Sequence, residues 1–146
     1  MQRSAEYDAF GPWTYRVRTA DEVPRLYRRH GVDPEAARLV LKVPRVIDRR
    51  DANPEMHLYD HLLVAGDESL TVLSRRGDTY QTVVVPYSRI GAIHHSYSML
   101  DGLLVVDDVD GLERAGVAVA IRYNAISRRV MEDLAELLRE QALAAR

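Results

Sequence analysis

Hydrophobic and polar positions alternate along most of this chain in short runs, and the period changes once, near the end. The stretch HLYDHLLVAGDESLTVLSRRGDTYQTVVVPYSRIGAIHHSY, His57 to Tyr97, holds four such runs. Leu58 to Ala65 ends at Gly66-Asp67, and Leu70 to Ser74 ends at Arg76-Gly77-Asp78. Tyr80 to Val85 ends at Pro86, which cannot donate to a ladder, and Arg89 to Tyr97 follows, with Gly91 as a bulge or bend. Alternating runs joined by such turns predict hairpins. Beyond a turn at Met99 to Gly102, Leu103 to Val106 predicts a further strand and Leu112 to Arg114 a short one. Val117, Val119, Ile121 and Tyr123 alternate most cleanly with Ala118, Ala120, Arg122 and Asn124, which commits one face to a core. The period then becomes helical. Ile126, Val130, Leu134, Leu137, Leu138 and Gln141 trace one face of a closing helix that Asn124 or Ser127 can cap.

Upstream the pattern is mixed. Met1 to Gly11 is polar and is expected to fray. Trp13, Tyr15 and Val17 alternate with Thr14, Arg16 and Arg18, so Pro12 to Arg18 predicts a strand with one apolar face. Asp21 can cap a short helix carrying Leu26, Tyr27 and His30 and closed by Gly31. Asp33-Pro34 is a second helix start, predicting a helix to about Lys42 that Pro44 stops; Leu39, Leu41 and Val43 also alternate as a strand would. Arg45 to Glu55 is a charged linker ending in the turn signal Asn53-Pro54. The chain therefore divides into an N-terminal appendage, residues 1–56 with the linker at 45–56, and a domain over residues 57–146. The fold class is α+β, mainly β: a small antiparallel barrel of about seven strands capped by a C-terminal amphipathic helix.

Composition narrows the chemistry. A chain of 146 residues can bury a core without a metal or disulfide staple. Cysteine is absent, which removes disulfides, thiolate metal sites and cysteine nucleophiles together. Twenty basic and 22 acidic residues leave a formal charge of −2, which argues against nucleic acid as a partner. Nineteen of the basic residues are arginine, and Lys42 is the only lysine. The N-terminus lacks the apolar run of a signal peptide, and no segment approaches the roughly 20 apolar residues that span a bilayer. A cytoplasmic protein is the expectation.

With these elements in place, residues 57–141 resemble the bacterial pleckstrin-homology-like (PH-like) domains. The resemblance is carried by the hairpins LLVAGDESLTVLS and SRRGDTYQTVVV, the phrase VPYSRIGAI, and GVAVAIRYNAISRRVMEDLAELLRE, where a last strand runs straight into the closing helix. It implies the fold. Members that bind phosphoinositides carry basic residues on the first two strands and their loop. Here that loop reads Ala65-Gly66-Asp67-Glu68-Ser69, and its two carboxylates argue against phosphoinositide binding. The resemblance also implies partners that add a strand to a sheet edge or dock beside the helix, and relatives that self-assemble.

No catalytic motif is present: there is no G-x-S-x-G, G-x-G-x-x-G, P-loop or H-E-x-x-H. His57 and His61 would lie about 13 Å apart on a strand, too far for one metal ion. Adjacent His94 and His95 point to opposite faces of theirs. Asp107, Asp108 and Asp110 lack the spacing of a calcium loop. No metal or cofactor is expected. The leading expectation is a non-enzymatic interaction or self-assembly module, its partner an unidentified protein or a second copy, with Trp13 and Tyr15 as candidate contact residues. The alternative is a small-anion or lipid-headgroup binder using Arg75, Arg76 and Arg89. More remote is an enzyme built around His94, His95 and Asp101.

Overall fold

The computed structural model describes residues 5–109 and 117–146. In chain order the elements are helix α1 (Ala5–Ala9), strands β1 (Tyr15–Arg16), β2 (Leu39–Pro44), β3 (Tyr59–Ala65), β4 (Ser69–Arg76), β5 (Thr79–Pro86), β6 (Ile90–Tyr97), β7 (Asp101–Asp108) and β8 (Val117–Asn124), and helix α2 (Arg128–Ala144). Strands β1 to β5 form one antiparallel sheet in sequence order, and β6 to β8 form a second. The break falls at Pro86, where a 3-10 turn, Tyr87–Arg89, redirects the chain. The α+β class, the antiparallel pairing and the C-terminal helix are as expected. No ladder joins the two sheets among the described residues, so these strands do not close into the expected barrel.

The main core lies between the sheets and under α2. Leu41, Val43, Leu63, Ala65, Leu70, Val72 and Val85 from the first sheet meet Leu104, Val106, Val119, Ile121 and Tyr123 from the second. Each set occupies alternate positions of its strands, as a one-sided face requires. Helix α2 covers this core with Met131, Leu134, Ala135, Leu138 and Ala142. This face differs from the expected one. Ile126 falls in a 3-10 turn, Ala125–Ser127, outside the α-helical register, and is exposed. Asn124 caps this 3-10 turn rather than the α-helix, its side chain accepting the Ile126 N–H at 3.0 Å, and Ser127, at the helix N-cap, makes no side-chain cap bond.

A second core covers the opposite face of the first sheet. Phe10, Val17, Val23, Tyr27 and Ala52 pack on Val40, Leu58, Tyr59, Leu62 and Leu73. Tyr27 is fully buried, and its hydroxyl donates to the Tyr59 carbonyl at 2.8 Å. Lys42 lies here too. It is 6% exposed, donates from Nζ to the Glu22 carbonyl at 3.0 Å, and sits 4.9 Å from the Tyr59 ring centroid. Burial holds its ammonium pKa below the ordinary lysine value.

This second layer corrects several expectations for residues 1–56. The helix expected over Pro34 to Lys42 is a turn followed by β2, because covering both faces gives the strand a nearly continuous apolar run, LVLKV. Asp33 caps only a turn, accepting the Glu35 N–H on its side chain. The helix expected from Asp21 is a pair of 3-10 turns, Ala20–Glu22 and Arg25–His30. Thr19 with Glu22, rather than Asp21, forms the capping box, and Gly31 closes the second turn at φ 76° as expected. The N-terminal stretch expected to fray contains α1, whose Glu6 accepts the backbone N–H of Arg25. The expected strand over Pro12 to Arg18 shrinks to Tyr15–Arg16, paired with β2. Strands on either side of residue 56 thus share one sheet, with Leu41 opposite Leu63. The short strand expected at Leu112 to Arg114 lies outside the described residues.

Candidate functional site

Among the described residues the two sheets leave four strand edges, each a row of backbone groups with no ladder partner there, which natural sheets usually blunt. Three are blunted here. Strand β1 has two residues and carries Arg16. Strand β6 has a register shift at Gly91, and Arg139 of α2 donates to its Ile93 carbonyl at 3.4 Å. Strand β8 carries Arg122, and its ladder with β7 shifts at Val106/Asp107. Strand β5 differs. Its ladder with β4 runs unbroken from Thr79 to Pro86, and Thr79 to Val85 contains no charged residue.

The direction of the β5 backbone groups follows from one bond. Tyr87 N–H donates to the Glu68 carbonyl at 2.9 Å, on the same register that pairs Leu70 with Val85. Hydrogen-bonded pairs alternate with non-bonded ones in an antiparallel ladder. Thr79, Gln81, Val83 and Val85 therefore turn their amides toward β4, while Tyr80, Thr82, Val84 and Pro86 turn theirs outward. Proline in an outward position fits, since there its missing N–H leaves no ladder bond unmade. On the outer face of the edge Thr82 is exposed, Val84 is 56% exposed, and Tyr80 is tied down edge-on against Tyr27.

The residues nominated from sequence do not gather at one place. Arg75 Nε pairs with Asp60 at 3.0 Å, and Arg89 with Asp108 at 2.8 Å. Arg76 bonds Gln81 at 3.0 Å. Arg75 and Arg76 line a cavity of about 490 Å³ at one end of the inter-sheet space; Arg89 is not among its walls. Trp13 is 46% exposed and lies 6.5 Å from the Tyr15 ring, whose hydroxyl donates to the Ala9 carbonyl. His94 bonds Asp107 at 3.0 Å, while His95 bonds the Tyr123 hydroxyl, so the two diverge as strand neighbours must. Burial pushes the Tyr123 phenol up to about 12 and the His95 imidazole below its ordinary value. In the first sheet the connection between β2 and β3 adds Arg45, Arg49 and Arg50. These are engaged with the His57 carbonyl, the Tyr7 and Phe10 carbonyls, and Asp48 respectively.

One pairing escaped the sequence reading. His61 Nδ1 lies 2.8 Å from Ser74 Oγ, both on the cavity wall, and burial holds the imidazole pKa down. The hairpin turn at Gly66-Asp67 was the available signal, because its register sets His61 opposite Ser74. The pair is a hydrogen-bonded cross-strand contact, and its neighbour Asp60 is occupied by Arg75.

No helix of the described residues is long and apolar enough to cross a membrane. No family model, curated protein or solved structure matches the chain.

Proposed function

We propose that this chain is a non-enzymatic interaction module of PH-like architecture that receives a partner strand along β5. The PH-like reading is supported by the element order: four consecutively paired strands, β2 to β5, then three, β6 to β8, then a helix. The observation that carries the functional reading is β5 itself, the unblunted edge among the described residues. A strand added there gains main-chain hydrogen bonds at Tyr80, Thr82 and Val84, with specificity from side chains on alternate faces. Replacing Thr82 with proline removes an outward donor and leaves the ladder with β4 intact. Extended peptides selected for binding to the wild-type chain should lose affinity for Thr82→Pro, while its melting temperature changes little. Binders indifferent to Thr82→Pro and to Val84→Lys would count against the edge.

A second reading, a small-anion or lipid-headgroup binder, is favoured by Arg76 alone. Its guanidinium lines the cavity beside His61, Ser74 and Gln81 and has no carboxylate partner among the described residues. Thermal stabilisation by inorganic phosphate that is lost in Arg76→Gln would support it.

A further inference from the structure

We infer that the strand received by β5 is the β5 of a second copy, so that two chains join their first sheets about a two-fold axis through Thr82. This rests on the strand-addition reading and names its partner. The argument is one of self-complementarity. An antiparallel pairing of β5 with itself must match outward-facing residues with outward-facing residues. Centring it on Thr82 does so: Thr82 faces Thr82 of the second copy, and Tyr80 faces Val84 in both directions. Each of these pairs exchanges both of its backbone bonds, about six in all.

The side chains agree with the backbone. Thr–Thr and aromatic–β-branched pairs are among the favourable cross-strand combinations. The two exposed valines would each be covered by the other copy's Tyr80, which the contact with Tyr27 already holds in place. No like charges meet, because Thr79 to Val85 carries none. The pairing ends where the strand does: Pro86, having no N–H, faces the turn residue Asp78. An uncharged, unbulged edge eight residues long is the kind that soluble monomers avoid, and pairing with its own copy removes it. A C2 contact of this kind is closed and leaves no β5 edge for a third chain.

The test uses the full chain. Sedimentation velocity over a concentration series should show a monomer–dimer equilibrium. Thr82→Arg, which places like charges on the axis, should raise the dissociation constant about tenfold or more. Since the chain has no cysteine, Thr82→Cys offers a single thiol per copy. A short bis-maleimide should join it to its twin, and Met99→Cys, at an exposed turn, should not link under the same conditions. Equal linking at both positions, or a dimer unaffected by Thr82→Arg, would overturn the proposed axis. Should the chain stay monomeric, amide hydrogen exchange separates the remaining outcomes. Fast exchange at Tyr80, Thr82 and Val84 would overturn self-pairing while the edge stays open to a foreign strand. Slow exchange there in a monomer would overturn both readings.

Discussion

Gly102 faces Tyr123 across the β7–β8 ladder, and a Cβ there would meet the phenol ring at 2.1 to 2.5 Å. The ring lies across β7 in the space a side chain would fill, and its hydroxyl reaches His95. Tyr123 is buried, so Gly102→Ala should cost about 1–3 kcal/mol in urea denaturation, the range for an overpacked core. Two histidines, one in each sheet, carry a pH dependence. His95 and His61 both have pKa values held below the ordinary 6.5, first by burial. For His95, Glu132 opposes that shift and Arg139 adds to it; for His61 Asp60 and Arg76 play those parts. As the pH falls through the ordinary value the unfolded chain takes up protons that the folded one refuses. Stability is therefore full above that value and declines below it until the folded pKa values are passed. Melting temperature should fall between about pH 7.5 and about pH 5.5, and His61→Gln should make the fall shallower. The partner of His61 follows from the Gly66-Asp67 hairpin register, whereas that of His95 has no local signal. His95 meets a tyrosine 28 positions away, found only once two ladders are in register.

At the scale of elements, legibility followed exposure. Strand β8 was plain because one face is core and the other solvent, which leaves strict alternation in the sequence. Strands β3, β4 and β5 were found from their turns, with Gly77 at φ 64° where Arg76-Gly77-Asp78 marks a hairpin. Strand β2 reads first as a helix, with the alternation of Leu39, Leu41 and Val43 as the strand alternative, because Asp33-Pro34 marks a helix start and cover on both faces places apolar Val40 between the alternating positions. The layer responsible, built on Phe10, Val17, Val23, Tyr27 and Ala52, is unreadable for a related reason. Its buried residues, Phe10, Val17, Val23 and Tyr27, sit in short turns and irregular chain with no period to detect. Energetically that layer is anchored at Tyr27, which fills the space over β3. Tyr27→Ala should destabilise the protein by about 3 kcal/mol or more, as expected for emptying a fully buried aromatic site. Val84→Ala, on the exposed face of β5, should stay within about 0.5 kcal/mol when denaturation is measured at concentrations where the chain is monomeric.

For the molecule as a whole, the two cores share one sheet as their common wall, so β2, β3 and β4 belong to both. Loosening either layer exposes apolar strand to water, which couples the N-terminal segment to the rest. The open β5 edge was legible as a strand but not as an edge, because strand order and the blunting of the other three edges exist only in three dimensions. Lys42 gives this arrangement a further consequence. The only ε-amine of the chain is enclosed between the N-terminal layer and β2, bonded to Glu22 and set over the Tyr59 ring. Acylating reagents, and enzymes that attach acetyl groups or protein tags to lysine, therefore find no side-chain amine on the folded molecule. Modification of Lys42 must wait for that layer to lift, which makes its acylation rate a clock for the opening of the fold.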